Sequence, residues 1–191
     1  MRLLAPILFP LAAFGRLFSA RKPEQDQPQM SGFKLGSRSR SELTGVHPEL
    51  VKCVEKAIAV TTQDFSVHDG IRSPAEQREM VARGASKTLN SKHLTQPDGY
   101  GHAVDLVPYV NGKLRWEWPL IHPVAAAMAY AAHSLGVRIR WGGDWLWLVD
   151  EGEDLPPTAA ELEARVNAYV DHRRSLGRSA FIDGPHFEIH P

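Results

Sequence analysis

The chain has 191 residues, enough for one domain with a real core and short for two. Its 22 basic and 22 acidic side chains cancel, so the charge balance gives no argument for a nucleic-acid partner. Cys53 is the single cysteine, which excludes an intrachain disulfide.

Residues 1–20 place Arg2 ahead of an apolar run from Leu3 to Gly15. The run is too short for a comfortable membrane span and resembles a secretory signal, with Phe18 where a small residue is wanted before Ala20. Residues 21–29 are polar and proline-bearing and read as disordered. Met30 then opens Ser-Gly-Phe-Lys-Leu-Gly. Residues 1–29 are therefore either a signal or anchor, or an extension upstream of a start at Met30. The folded domain is assigned to 30–191, with regular structure expected from Ser41, which could cap a short turn.

His47-Pro48 opens a helix of about 13 residues whose apolar positions (Leu50, Val51, Val54, Ala57, Ile58) recur at three- and four-residue spacing. Cys53 lies in that pattern and reads as a small core residue; a cysteine hydrolase would need it exposed. Phe65, Val67 and His68 alternate into a strand ending at Asp69-Gly70. Ser73, Pro74 and Glu76 form a capping box for a helix over 74–83, stopped by Gly84. Residues 99–108 read as a strand, followed by a hairpin turn at Asn111-Gly112. An alanine-rich helix is predicted over 122–135, a strand over 137–141, a charged helix over 158–175 and a last strand over 181–189 broken by Gly184-Pro185. Interspersed short strands and helices, with a hairpin, point to an α+β fold: a small antiparallel sheet flanked by helices.

Two stretches carry the chemistry. His93 and Asp105 flank a glycine-bearing loop, and His186 arrives from far along the chain. Two imidazoles and a carboxylate are a common set for a catalytic zinc and leave a fourth position open. Strand alternation sets Ala103 and Asp105 on one face and His102, Val104 and Leu106 on the other, which favours His93 over His102 as the partner of Asp105. His190 shares the face of His186 and is a weaker alternative ligand. His102, His122, His133 and His172 lie outside any motif and read as surface residues or as neighbours of the ligands. Trp141 and Trp145 read as core or cleft wall.

Five motifs occur in an order that resembles the M15 metallopeptidases: Arg72-Ser73-Pro74, Ser91-Lys92-His93-Leu94, Gly101-His102-Ala103-Val104-Asp105, Trp141-Gly142-Gly143-Asp144-Trp145 and Asp183-Gly184-Pro185-His186-Phe187-Glu188. The resemblance covers about residues 30–191 and is strongest to the phage endolysin branch, the L-alanyl-D-glutamate peptidases. It implies a hedgehog/D,D-peptidase-like fold and a Zn2+ cofactor held by His93, Asp105 and His186. It further implies Asp183 as catalytic acid/base and Arg72 as the arginine that holds or polarises the substrate carbonyl. Glu188, two residues beyond His186, is either a partner that orients a ligand or a rival for the base. The implied partner is the peptidoglycan stem peptide, cut by a monomer acting on the bacterial cell wall. D-alanyl-D-alanine carboxypeptidase or dipeptidase activity, or a non-catalytic wall-binding module, are the alternatives. Two departures from the family pattern stand out. Five extra residues lie within Thr95–Tyr100, between His93 and Asp105, where they are expected to alter access beside the metal. The segment between Trp145 and Asp183 is long, and reads as a lid, a wall-contact surface or an elaboration.

Overall fold

The computed structural model describes residues 29–150 and 152–190, so the N-terminal extension lies, apart from Gln29, outside the described residues. A five-stranded antiparallel sheet runs in the order β1-β2-β5-β4: β1 Phe65–Asp69, β2 Ala103–Val110, β4 Ile139–Trp141 and β5 His186–Ile189. The short β3 (Lys113–Leu114) returns on β2 through the Asn111-Gly112 turn, where φ is 50° and 79°. Those left-handed angles are what an Asn-Gly hairpin turn demands.

Phe65, Val67, Val104, Leu106, Ile139, Trp141, Phe187 and Ile189 are buried on one face of this sheet. Helix α4 (Trp118–Leu135) covers that face, and α2 (Pro48–Val60) packs on α4. The alanines of α4, among them Ala125, Ala129 and Ala132, are fully or almost fully buried and allow this close approach. Since side chains alternate along a strand, the opposite face presents Asp105, His186, Glu188 and Arg140. A bulge between Val67 and Asp69 brings Asp69 opposite Asp105.

Most elements match their sequence patterns. Helix α2 spans 13 residues, and α3 (Pro74–Ala82) carries both halves of its capping box. Four expectations need correction. Regular structure begins earlier than Ser41, with α1 at Ser37–Glu42, which has no side-chain cap to announce it. Helix α4 begins at Trp118 rather than 122; Pro123 sits in its second turn, where its missing N–H forfeits only one bond. Strand β2 begins at Ala103 because 95–101 close on themselves, with a bridge between Thr95 and Gly101. Strand β5 begins at His186, because Asp183 donates its amide to the Gly142 carbonyl and His186 its amide to the Asp183 carbonyl, making a turn. Among the described residues no helix is long and apolar enough to cross a membrane.

Candidate metal centre and its cleft

The sheet face opposite the core forms the floor of a cleft of about 520 Å³. His93, Asp105 and His186 meet on it, together with Arg72, Asp183 and Glu188. His93 comes from the loop after α3. Its carbonyl accepts the Arg72 amide at 2.8 Å, and its own amide donates to Ser91 Oγ at 3.2 Å. Asp105 and His186 face each other across the β2–β5 pair.

The hydrogen bonds behind the rings set their tautomers. His93 Nδ1 lies 2.6 Å from the Gly70 carbonyl, which can only accept, so Nδ1 carries the proton and Nε2 is bare. His186 Nε2 lies 3.2 Å from Glu188 Oε2, so that nitrogen donates and Nδ1 is bare. The bare His93 Nε2 is 3.2 Å from His186 Nδ1 and 3.3 Å from Asp105 Oδ1, and His186 Nδ1 is 3.2 Å from the same oxygen. Three lone pairs therefore converge with no proton among them in the neutral tautomers. A tetrahedral ion with N and O ligands at about 2.0–2.1 Å spaces those atoms about 3.3–3.4 Å apart. The donor set fits a metal ion of that size.

Electrostatics agree with this geometry. Burial disfavours a charge on His186, but the Asp105 and Glu188 carboxylates outweigh it and push its pKa up to about 9. The surroundings thus favour positive charge at this point, whether it comes as a proton or a metal. Burial likewise opposes the charge of Asp105, and His93 and His186 overcome it, holding the carboxyl well below the usual range.

Arg72 stands behind Asp105. Its Nε donates to Asp69 Oδ2 at 2.6 Å, Nη2 to Asp105 Oδ2 at 2.8 Å and Nη1 to Gln77 Oε1 at 3.3 Å. The guanidinium separates two carboxylates that the bulge sets directly opposite each other.

Asp183 approaches from the other side. Gly142 separates its backbone from that of His186: a Cβ there would lie 2.3 Å from the Asp183 carbonyl oxygen and 3.1 Å from the Cβ of each. Trp141 Nε1 donates to the Gly184 carbonyl at 2.7 Å, and Trp145 Nε1 to the Phe181 carbonyl at 2.8 Å. The Trp141–Trp145 turn is thus the clamp that holds 181–186. Burial and the nearby Asp105 raise the Asp183 pKa, against the pull of His186, His93 and Arg72.

A family model for phage L-alanyl-D-glutamate peptidase matches residues 30–154. The L-alanyl-D-glutamate peptidase of Escherichia phage T5 is 36% identical over 161 residues, covering 82% of this chain and 98% of that protein. The chain belongs to the phage L-alanyl-D-glutamate peptidase family. The L-Ala D-Glu endopeptidase ChiX of Serratia marcescens is a structural neighbour, with TM-score 0.57 at 34% identity, covering 83% of this chain and 92% of that one.

Within this member of the phage L-alanyl-D-glutamate peptidase family, the remaining sequence candidates fall into place. His190 Nε2 binds Glu188 Oε1 at 3.0 Å and lies outside the triad. His102 is buried and bonds Asp98 Oδ2 at 2.8 Å. His122 is buried beside Trp118 and Trp141, not on the surface. Cys53 is fully buried, and burial together with Glu49 pushes its thiol up to about 12, which excludes a thiolate nucleophile. The extra residues at Thr95–Tyr100 pack towards His47 at the start of α2, and none of them lines the cleft. They are therefore not part of the cleft lining, although they adjoin His93 in sequence. Helix α5 (Ala159–Ser175) is a buttress rather than a lid: Leu162 and Val166 are buried, and Arg165 Nε binds Asp144 Oδ2 at 2.7 Å. Sequence reading missed Gln77, Asp69 and Arg140. Arg140 had a signal, since it alternates with the apolar Ile139 and Trp141 and must point away from the core.

Proposed function

We propose that this protein is a zinc peptidase that hydrolyses the L-alanyl-D-glutamate bond of peptidoglycan stem peptides and so acts on the bacterial cell wall. The observation that carries the reading is the convergence of three bare lone pairs, from His93, Asp105 and His186, on a cleft floor shared with Asp183. Family membership and the activity named for the T5 and Serratia relatives support the choice of bond. Zinc, when bound, supplies a Lewis acid that acidifies water and polarises a carbonyl.

The other groups have distinct tasks. Asp183 accepts a proton from the attacking water and delivers it to the amide nitrogen of D-glutamate as that nitrogen leaves the L-alanyl carbonyl. Its raised pKa makes the carboxylate a better proton acceptor than an ordinary aspartate. Arg72 commits three of its five N–H groups to Asp69, Asp105 and Gln77, so its first task is to fix Asp105; its remaining N–H groups are available to a substrate carbonyl. Glu188 orients His186. Burial opposes its charge, but His186, His190 and Arg140 outweigh it and hold its pKa at about 2, too low for an efficient base.

Mass spectrometry of fragments released from peptidoglycan, with and without a zinc chelator, tests the reading. Chelator-sensitive fragments with a new amino terminus at D-glutamate are expected. Release of terminal D-alanine, or no release by folded zinc-loaded protein, would overturn it.

A further inference from the structure

The cleft carries more positive charge than its chemistry uses. Arg72, Arg83, Lys87, Lys92 and Arg140 line it against Asp69, Asp105, Asp183 and Glu188, before a divalent ion adds two further charges. Arg72 is spent on Asp69 and Asp105, and Arg140 pairs with Glu188 at 3.0 Å. Arg83, Lys87 and Lys92 pair with no carboxylate among the described residues. They come from one continuous wall, 83–92, which ends beside the ligand His93.

This wall is built into the site. Gln77 is 1% exposed, and its Nε2 donates to Ser86 Oγ at 2.9 Å and to the Thr88 carbonyl at 2.7 Å. Its Oε1 accepts from Arg72. One buried side chain therefore ties the residues on both sides of Lys87 to the arginine behind Asp105. The amides of Ala85 and Ser86 both donate to the Met80 carbonyl, which closes the wall on α3. Lys92 is half-buried and its carbonyl accepts the His102 amide at 2.7 Å, so its backbone is fixed as well.

A stem peptide offers a matching anion. In a γ-linked D-glutamate the chain continues through the side-chain carboxyl. The α-carboxylate stays free on the carbon that bears the scissile nitrogen. When the bond lies over the metal triad, that carboxylate enters the same cleft, whose cations outside any ion pair among the described residues are Arg83, Lys87 and Lys92. Amidation of this group, as in D-isoglutamine, removes the charge at nearly constant shape. We infer that the 83–92 wall is a carboxylate subsite, through Lys92 and Lys87 above all, and that this protein favours stems whose D-glutamate α-carboxyl is free over amidated stems. The inference rests on the scissile bond proposed above.

Two peptides differing only in that group test it, L-Ala-γ-D-Glu-L-Lys-D-Ala and its α-amide. Zinc-loaded protein should cut the free acid with kcat/KM about tenfold higher, the difference lying in KM and shrinking at high salt. Calorimetry with the same pair N-methylated at the scissile amide should give the same preference in binding. The Lys87→Met/Lys92→Met double variant should lose the preference in both assays; neither side chain is in an ion pair among the described residues, and circular dichroism checks the fold. Equal kcat/KM and equal binding for acid and amide overturn the subsite, as does a preference that survives the double substitution. Tighter binding of the N-methylated acid with no cleavage of either parent peptide at L-Ala–D-Glu would overturn the scissile-bond reading and leave the subsite standing.

Discussion

Arg72 Nη2 donates to Asp105 Oδ2 at 2.8 Å, while the other oxygen of the same carboxylate lies 3.3 Å from His93 Nε2 and 3.2 Å from His186 Nδ1. One oxygen is anchored so that the other has a single direction. Arg72→Ala should therefore damage the metal site without removing a ligand. It also leaves Asp69 and Asp105 facing each other across the bulge with no cation between them. A stability loss of about 3 kcal/mol is expected, from removing one partner of a mostly buried ion pair. Zinc affinity should fall about ten- to a hundredfold, as for other groups that orient a ligand. Arg72→Lys should recover little, because one ammonium cannot span both carboxylates. Denaturant unfolding and zinc competition against a chromogenic chelator check both numbers.

Asp183 and Glu188 both line the cleft beside the proposed triad, and their environments push them in opposite directions. Asp183→Asn should keep zinc and lose turnover by about 10²- to 10⁴-fold. The base must be ionised to accept a proton, and its pKa is raised. Activity in excess zinc should accordingly fall as pH drops through a value above that of an ordinary aspartate, and recover above it. A full-rate Asp183→Asn enzyme would sink the assignment and turn attention to Glu188.

Glu188 gives a stability signature instead. Its pKa is depressed in the folded chain from 4.5 to about 2, so its stabilisation is present above pH 4.5 and is lost as pH falls towards 2. The full effect at neutral pH is on the order of 3 kcal/mol. Glu188→Gln should lower the midpoint of unfolding at pH 7 and flatten its dependence between pH 5 and about 2. It should also weaken zinc binding through the loosened His186 ring. Unfolding midpoints across that range decide; parallel pH curves for variant and parent would count against the role.

Much of this site was legible in the sequence because caps and turns are local statements and the five ordered motifs resemble those of the M15 metallopeptidases. The capping box at Ser73–Glu76, the Asn111-Gly112 turn and the choice of His93 over His102 each follow from spacing or strand parity. What was not legible depends on long-range approach. The bulge that brings Asp69 opposite Asp105 has no pattern of its own, so Arg72 could not be seen to bridge two acids. Gln77 reads as an ordinary helical glutamine until Ser86 and Thr88 fold back onto it. The five extra residues at Thr95–Tyr100 were expected at the cleft because they adjoin a ligand in sequence. They turn instead to His47, where Asp98 finds His102.

Gly142 offers a steric test of the clamp. A Cβ there meets the Asp183 carbonyl at 2.3 Å, and that is backbone, which cannot swing away. Gly142→Ala should push 181–185 off the turn and misplace Asp183 relative to His186. Turnover should drop by at least about a hundredfold, because misplacement of about an ångström has that scale of effect. Zinc affinity should fall less, since β2 and β4 still hold His186 in β5.

Arg165 tests whether α5 supports the chemistry from behind. Asp144 is 3% exposed, and its two oxygens take the Leu146 amide at 3.0 Å and Arg165 Nε at 2.7 Å. Arg165 Nη2 also donates to the Trp147 carbonyl at 2.9 Å. The turn it braces contains Trp145, which holds a left-handed φ of 62°, stacks on Phe181 and lies 5.6 Å from the His186 ring. Arg165→Ala strands the buried Asp144 carboxylate, so it should cost about 3 kcal/mol of stability. If the brace only stabilised the fold, kcat at saturating zinc and a temperature well below unfolding would be unchanged. We expect kcat to fall about tenfold with KM nearly constant, because Phe181 and Asp183 lose their register over the triad. Arg165→Lys, which keeps the charge but loses the carbonyl contacts, should lie between the two in both stability and rate.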